Sequence, residues 1–129
     1  MADTAPAGLR YSKEHEWVAL EGDVATVGIT DYAQSSLGDI VYVELPRVGG
    51  TLTQFANIGV VESVKAVSDI FTPVGGEVVG INEAIEGDPA VVNRDPYGEG
   101  WLFKVKLADV GQIDELMGAT AYEQLISEA

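Results

Sequence analysis

The chain lacks cysteine altogether and has a single histidine, His15, among its 129 residues. The absence of cysteine excludes disulfides, thiolate metal ligands, iron–sulfur clusters and thiol nucleophiles together. A lone histidine argues against a histidine-rich metal site and against a Ser-His-Asp triad elsewhere in the chain. We therefore expect no metal site and no catalytic centre built on these side chains.

Basic residues are scarce: 7 Lys and Arg stand against 21 Asp and Glu, which gives a net charge of −14. Nucleic acids and anionic membrane surfaces are bound through basic surfaces, so we expect neither as a partner. No apolar run approaches the roughly 20 residues of a membrane-spanning helix, and no segment resembles a signal peptide. We expect a cytoplasmic protein, or a protein of the mitochondrial matrix if this is a eukaryotic mature form. The negative charge favours partners with basic docking faces, although it also serves solubility by itself.

The length is that of one domain. Small residues, proline and glycine fill residues 1–8, which predicts a disordered tail before a single domain over residues 9–129. Seven or eight short β-type segments separated by Gly and Pro turns predict a mainly β sandwich or barrel. A cap at Thr30 or Asp31 predicts a short early helix through Leu37, and the end of the chain predicts a pair of helices. These helices are expected over residues 109–117 and 120–127.

Two further features belong to the predicted β-segments. The run Ile40–Leu45 is too apolar for a strand with one face in water, which predicts cover on both faces. The residues Glu14, His15 and Glu16 are adjacent ionisable groups that acid–base catalysis could use. On a strand, however, the two glutamates share one face and His15 takes the other, so a solvated strand end is the better interpretation. We expect no enzyme activity.

The residues from Glu62 to Asp69 read Glu-Ser-Val-Lys-Ala-Val-Ser-Asp, nearly a palindrome about Lys65–Ala66. With β-type flanks, this pattern predicts a hairpin with a type I-like turn at its centre. The mirror-related residues would then form cross-strand pairs. These pairs are Val64 with Val67, Ser63 with Ser68, and Glu62 with Asp69.

Such a hairpin would hold Lys65, one of only four lysines, at the tip of a narrow finger between exposed valines. An exposed lysine at a turn often has no special role. A lysine on a rigid finger is nevertheless a good anchor for a covalent cofactor, which would then carry the chemistry.

With Lys65 flanked in this way, the chain resembles the H protein family of the glycine cleavage system from about Leu9 to the C-terminal helices. One departure is the segment Gln54-Phe55-Ala56-Asn57, where the family commonly has a glycine-containing turn. The motifs that carry the resemblance are His15-Glu16-Trp17, Gly28–Ala33, Leu37–Pro46, Glu62–Ala66, Ser68-Asp69, Pro73, Gly76–Val78, Asn82 and Asn93–Trp101.

The resemblance implies a barrel-sandwich hybrid of the lipoyl/biotinyl type with helical additions, and lipoate amide-linked to Lys65. It implies a non-catalytic carrier whose tip is supported by Glu62, Ser63, Val64, Ala66 and Asp69. The partners implied are a pyridoxal-phosphate glycine decarboxylase, a tetrahydrofolate-dependent aminomethyltransferase, an FAD- and NAD-dependent dihydrolipoamide dehydrogenase, and a lipoyl ligase or transferase.

By the same resemblance, the loaded arm would fold into a cleft, where a carboxylate holds its amine. Glu16 is the first choice for that carboxylate, with Glu14 and Asp69 as second candidates. Two other functions remain open: a relay that donates lipoyl groups to other complexes, and an unmodified acidic interaction domain. We expect a monomer, because no strongly apolar surface stripe is evident in the sequence.

Overall fold

The computed structural model describes residues 5–128, in which two antiparallel β-sheets form the framework. The larger sheet contains β1 (Arg10–Tyr11), β2 (Glu16–Glu21), β3 (Val24–Ile29), β5 (Thr51–Leu52), β8 (Gly76–Ile81) and β9 (Phe103–Leu107), in the order β1-β2-β3-β9-β8-β5. The smaller sheet contains β4 (Ile40–Glu44), β6 (Asn57–Ser63) and β7 (Val67–Phe71), in the order β4-β6-β7. The mainly β class predicted from the short alternating segments is confirmed.

Short helices connect and close the sheets. They are α1 (Asp31–Leu37), α2 (Ala84–Gly87), α3 (Val91–Arg94), a 3₁₀ helix (Val110–Glu115) and α4 (Ala119–Ser127). None of these helices has the length and apolarity that a membrane crossing requires.

The main hydrophobic core lies between the two sheets, because inward-facing side chains of both contribute to it. Val61 and Ile70 of the smaller sheet belong to the same cluster as Val27 and Phe103 of the larger one. A second cluster fastens α4 to β1 and β2. Its buried members are Tyr11, Trp17, Tyr122 and Ile126.

The early helix forms as predicted. The Thr30 side chain accepts a hydrogen bond from the Ala33 amide (3.2 Å), which satisfies one of the amides left free at a helix N-terminus. Gly38 follows the helix with φ 83° and ψ −156°, a backbone conformation that glycine adopts readily and other residues rarely adopt. This helix brings Gly38 and the following Asp39 to the end of the smaller sheet.

Two details differ from the sequence-based expectations. The first predicted C-terminal helix is the 3₁₀ segment, whose start is capped by the Asp109 side chain on the Gly111 amide (2.9 Å). The strand β4 is not covered on both faces, since Val41 and Tyr42 are 52% and 48% exposed. The register with β6 shifts between Ile40 and Tyr42, and at this place two neighbouring apolar side chains of β4 face water.

The start of the described chain contacts the C-terminal helix. The Ala5 amide donates to Glu123 Oε2 (2.8 Å), and the Tyr11 hydroxyl donates to the Pro6 carbonyl. Residues 1–4 of the predicted tail lie outside the described residues, whereas these contacts hold Ala5 and Pro6 against the domain.

Candidate functional site

The predicted finger is the hairpin of β6 and β7, but its register differs from the palindromic pairing. The observed partners are Glu62 with Val67, Val61 with Ser68, and Val60 with Asp69. The predicted pairs were therefore wrong by two residues. β6 ends at Ser63 and β7 begins at Val67, so Val64 and Lys65 lie in the loop between the strands.

The Ser63 side chain explains this register. Its Oγ accepts from the amides of Ala66 (3.0 Å) and Lys65 (3.3 Å), while the Ser63 amide donates to the Ala66 carbonyl (2.8 Å). A hydroxyl thus replaces a main-chain acceptor and closes a tight turn with Val64 and Lys65 at its centre. The predicted tip position of Lys65 is confirmed, with the turn centred one residue earlier than expected.

The tip is also fixed from the side. The Val64 amide donates to the Asp39 carbonyl (3.0 Å), which ties the loop to the segment after α1. The Asn93 side chain holds that segment in turn: its Nδ2 donates to the Gly38 carbonyl (2.9 Å), and its Oδ1 accepts from the Ile40 amide (2.9 Å). The lysine loop is therefore held in place by hydrogen bonds to the segment after α1.

Lys65 itself is exposed, between Val64 (70% exposed) and Val67 (67% exposed). Its stem runs beside the backbone of Gly38, where a β-carbon would lie 3.4 Å from Lys65 Cε. Within residues 5–128 the Lys65 amine forms no salt bridge. An amide-linked group fits this position, because the amine is accessible and its acylation breaks no contact of the fold.

The acidic residues of the finger lie on its outer face. Glu62 is opposite Val67, and Asp69 is opposite Val60, so these two carboxylates are not cross-strand partners of each other. Asp69 is exposed and Glu62 is partly exposed. Their expected part in supporting the tip stays a prediction, together with that of Ala66.

Glu16 has an environment that the sequence does not reveal. It is only 2% exposed, its Oε1 accepts from the Ser12 hydroxyl (2.5 Å), and its Oε2 accepts from the Phe71 amide (3.1 Å). Burial away from water raises the pKa of Glu16 to about 8, against the opposing effect of these two hydrogen bonds. The carboxyl group connects the start of β2 to the last residue of the finger.

Glu14, the neighbouring candidate, lies elsewhere. It is exposed and lines a cavity of about 390 Å³ between the segment before β2, the end of β7 and the chain around Leu116. His15 separates the two glutamates with a left-handed φ of 73°, and its Nδ1 lies 2.9 Å from the Tyr122 hydroxyl. Burial lowers the pKa of His15. The structure does not bring Glu14, His15 and Glu16 together around one point.

Phe55 stands at the position where the resembled family commonly has a glycine-containing turn. Its φ is 68°, a left-handed conformation that costs a bulky residue about 1–2 kcal/mol relative to glycine. The amide donates to the Thr72 carbonyl (2.6 Å), and Phe55, which is 48% exposed, lines the 390 Å³ cavity. The chain therefore keeps a strained aromatic residue at a cavity wall.

Sequence reasoning missed the contacts that three residues of this region make. Ser12 and the Phe71 amide are the partners of Glu16, and Asn93 supports the base of the tip. Ser12 lies four residues before Glu16, a spacing that gives no contact on a regular strand. The left-handed backbone at His15 makes the contact possible, and no sequence pattern predicts it.

The comparison with known proteins starts from the whole chain. The family model described as "Glycine cleavage H-protein" matches residues 9–129. The chain belongs to this family.

Individual relatives agree over nearly the full length. The chain is 56% identical over 121 residues to a glycine cleavage system H protein of Alcanivorax borkumensis, with 94% of each chain covered. It is 47% identical over 129 residues to that of Myxococcus xanthus, with 100% of each chain covered. Among solved structures, the crystal structure of a glycine cleavage system H protein from Mycobacterium marinum is 40% identical. It superposes with a TM-score of 0.88 over 95% of this chain and 99% of that one. The predicted fold class is therefore confirmed.

Proposed function

We propose that the chain is the lipoyl-bearing carrier of a glycine cleavage system and that the lipoyl group is attached to Lys65. One observation carries the proposal: in a member of this family, Lys65 is an exposed amine at the centre of a turn that Ser63 and Asp39 hold in place. When attached, the lipoyl group would supply a disulfide that accepts an aminomethyl group from glycine decarboxylase, delivers it to aminomethyltransferase and is reoxidised by dihydrolipoamide dehydrogenase.

The chain contributes presentation and not catalysis. The turn holds the Lys65 amine outside the surface of the domain. The hydrogen bonds to Ser63 and Asp39 keep the lysine in one position while the partner enzymes bind in succession. The net charge of −14 favours association with basic docking faces on these enzymes and steers the encounter. We place this activity in the cytoplasm.

We further propose that Glu16 holds the ammonium end of the loaded arm. Phe71 is four residues from Val67 along β7, or about 13 Å, a distance similar to the length of a lysine stem carrying an eight-carbon acyl chain. An ammonium beside the buried Glu16 would ionise the carboxyl group and form a strong charge-assisted hydrogen bond. The exposed Glu14 and Asp69 offer only a solvent-screened ion pair, which is worth little.

The carrier proposal is tested with Lys65→Arg and Lys65→Ala in a reconstituted glycine cleavage assay. Arginine retains the charge but cannot form the amide. We expect both variants to fold with an unchanged thermal midpoint and to lose all shuttling, since the exposed side chain makes no core contact. Turnover by the Lys65→Arg variant would refute the proposal, and unfolding of both variants would assign Lys65 a structural role.

The role of Glu16 is tested by the lifetime of the loaded arm in Glu16→Gln, with Glu14→Gln as the matched control. We expect a shorter lifetime in the first variant and an unchanged lifetime in the second. The reverse pattern would transfer the role to Glu14. Equal lifetimes in both variants and the wild type would show that neither Glu16 nor Glu14 holds the ammonium group.

A further inference from the structure

The lysine loop contacts the short connection between α1 and β4, residues 38–40, in two places; we call this connection the support segment. The Val64 amide donates to the Asp39 carbonyl (3.0 Å), and the Lys65 stem passes beside Gly38, where a β-carbon would lie 3.4 Å from Lys65 Cε. One contact is made by the residue before the lysine and the other by the lysine itself. The direction of the Lys65 amine therefore depends on where the support segment lies.

The Asn93 side chain holds the support segment with both of its polar atoms. Its Nδ2 donates to the Gly38 carbonyl (2.9 Å) and to Gln34 Oε1 (2.8 Å), and its Oδ1 accepts from the Ile40 amide (2.9 Å). β4 begins at Ile40 and is a terminal strand of the smaller sheet. The Asn93 side chain therefore supplies one donor and one acceptor where a neighbouring strand would otherwise supply them.

This set of partners requires an amide at position 93. The Gly38 carbonyl can only accept and the Ile40 amide can only donate, so one short side chain must present both a donor and an acceptor. An ionised aspartate presents acceptors alone, and alanine presents neither. Both hydrogens of Asn93 Nδ2 are used, by Gly38 and Gln34, so the amide group has one orientation that satisfies all three partners.

Asn93 itself has a fixed position relative to the core. It belongs to α3, whose Val91 and Val92 are 7% and 0% exposed and are members of the main hydrophobic cluster. The chain after α3 is fastened to β2 by a hydrogen bond of 2.9 Å from Trp17 Nε1 to the Pro96 carbonyl. The support segment therefore takes its position from a side chain that the packed core holds in place.

The same stretch of chain also holds the beginning of α1. The Tyr97 hydroxyl accepts from the amide of Asp31, the first residue of that helix (3.0 Å). Gln34, in the middle of the helix, accepts from Asn93 with its Oε1 and donates to Asp31 Oδ1 with its Nε2 (2.8 Å). Residues 93–97 are thus bound to α1 at its start, at its middle and just after its end.

We propose that Asn93 is a positioning residue for the acylation of Lys65. Asn93 fixes the support segment, and the support segment fixes the lysine loop. If the loop has the competent arrangement for only a fraction of the time, the acylating enzyme binds it more weakly by that fraction, and its KM for the protein rises. This inference rests on the proposed carrier function and adds a residue on which attachment of the lipoyl group depends.

The acyl donor in this step is an acyl adenylate, which a lipoyl ligase forms from lipoate and ATP. The neutral Lys65 amine attacks the acyl carbon, and the amide C–N bond forms while the C–O bond to AMP breaks. The electron pair of the broken bond leaves with AMP, and the nitrogen loses a proton to solvent. Asn93 takes no part in these bonds, because it determines only where the amine lies.

The link between Asn93 and the lysine loop is tested by amide hydrogen exchange in the unmodified Asn93→Asp variant. Aspartate keeps the acceptor for the Ile40 amide and removes the donor to Gly38. We expect exchange at the Val64 amide to be roughly tenfold faster than in the wild type. The Leu102 amide, which donates to a core carbonyl (2.8 Å), is the internal reference and should not change.

The matched control is Arg94→Ala, the next residue of α3, which loses only an exposed ion pair with Asp88. We expect wild-type exchange at Val64 in this control. Unchanged exchange at Val64 in Asn93→Asp would overturn the proposal. Equal acceleration at Val64 and Leu102 would also overturn it, because a general loss of stability would then explain the result.

Acylation kinetics with a lipoyl ligase, lipoate and ATP separate positioning from structural support. We expect Asn93→Asp to raise the KM for the protein roughly fivefold and to leave kcat unchanged, since a correctly placed lysine reacts normally once bound. Gln34→Ala removes one partner of Asn93 and leaves its bonds to the support segment, so its KM should rise only about twofold. Arg94→Ala should have the wild-type KM.

An unchanged KM in folded Asn93→Asp would overturn the proposal. A lower kcat at unchanged KM would do the same, because the side chain would then affect the reaction and not the position of the loop. If Asn93→Asp does not fold, Gln34→Ala decides the question, and an unchanged KM in that variant would overturn the proposal.

Failure of this inference is distinguishable from failure of the carrier proposal. If the ligase does not acylate the wild type, the carrier function fails, and exchange at Val64 in Asn93→Asp still decides whether Asn93 holds the lysine loop. If the wild type is lipoylated and shuttles normally while Asn93→Asp has the wild-type KM, the positioning role of Asn93 fails alone.

Discussion

The carboxyl group of Glu16, the first residue of β2, accepts a hydrogen bond of 3.1 Å from the amide of Phe71, the last residue of β7. The bond joins the two sheets at the base of the lysine finger, on the edge of β7 that has no neighbouring strand. The Glu16 side chain thus provides the acceptor that a neighbouring strand would otherwise provide for the Phe71 amide. The finger is anchored at its base by Glu16 and near its tip by the Asp39 carbonyl.

The buried Glu16 makes folding stability depend on pH. Its pKa in the folded protein, about 8, exceeds the usual value of 4.5, so between these values the folded state binds a proton that the unfolded state has released. The free energy of unfolding should therefore fall as pH rises from about 4.5 to about 8, by at most about 1.4 kcal/mol per pH unit from this group. Urea unfolding at pH 5, 6, 7 and 8 measures the slope.

The variant Glu16→Gln lacks this titration, and its stability should fall less steeply over the same pH range. Glu14→Gln, at an exposed position, serves as the control and should retain the wild-type slope. If the free energies of unfolding of Glu16→Gln and the wild type depended on pH in the same way, Glu16 would have the same pKa in the folded and the unfolded protein. That result would contradict the effect expected from its burial.

Ser63→Ala tests the turn that presents the lysine. The change removes the acceptor of the Lys65 and Ala66 amides, which should cost about 1 kcal/mol in the free energy of unfolding. A less ordered loop should also slow lipoylation of Lys65 about fivefold, the factor that corresponds to 1 kcal/mol. Initial rates with a lipoyl ligase measure this effect. Ser68→Ala, on the same hairpin, is the matched control, and equal effects of the two changes would contradict the role of Ser63.

Gly38→Ala tests the contact between the lysine stem and the segment after α1. Both Gly38 and Gly22 have positive φ angles, 83° and 66°, so alanine at either position should cost about 1–3 kcal/mol. A methyl group at position 38 would touch the Lys65 stem, whereas position 22 has no atom within 4 Å. We expect Gly38→Ala to slow lipoylation a few-fold and Gly22→Ala to leave the rate unchanged. Equal rates in the two variants would show that the stem does not depend on this contact.

The location of the finger and of Lys65 at its tip could be predicted from the sequence, because two β-type segments joined by a turn form a hairpin whichever residues pair. The register did not follow. The palindrome paired like residues, whereas the Ser63 hydroxyl captured two amides and closed the turn early. Side-chain capture of backbone groups is a local competition that residue pairing rules do not include.

The environments of the acidic residues could not be predicted from the sequence either. Glu14 and Glu16 flank the same histidine, yet one is exposed and the other almost fully buried. The left-handed backbone of His15 creates the difference, and nothing in the run His-Glu-Trp marks it. Phe55 shows the same limit, since a phenylalanine is a poor indicator of a left-handed turn.

The central claim is that Lys65 carries a lipoyl group, and the most direct measurement is the intact mass of the protein after incubation with lipoate and a lipoyl ligase. We expect one added lipoyl group and, after tryptic digestion, a single peptide over residues 48–94, because acylation of Lys65 blocks cleavage there. An unchanged mass with cleavage after Lys65, beside a control domain that the same ligase modifies, would contradict the claim and leave an acidic docking domain.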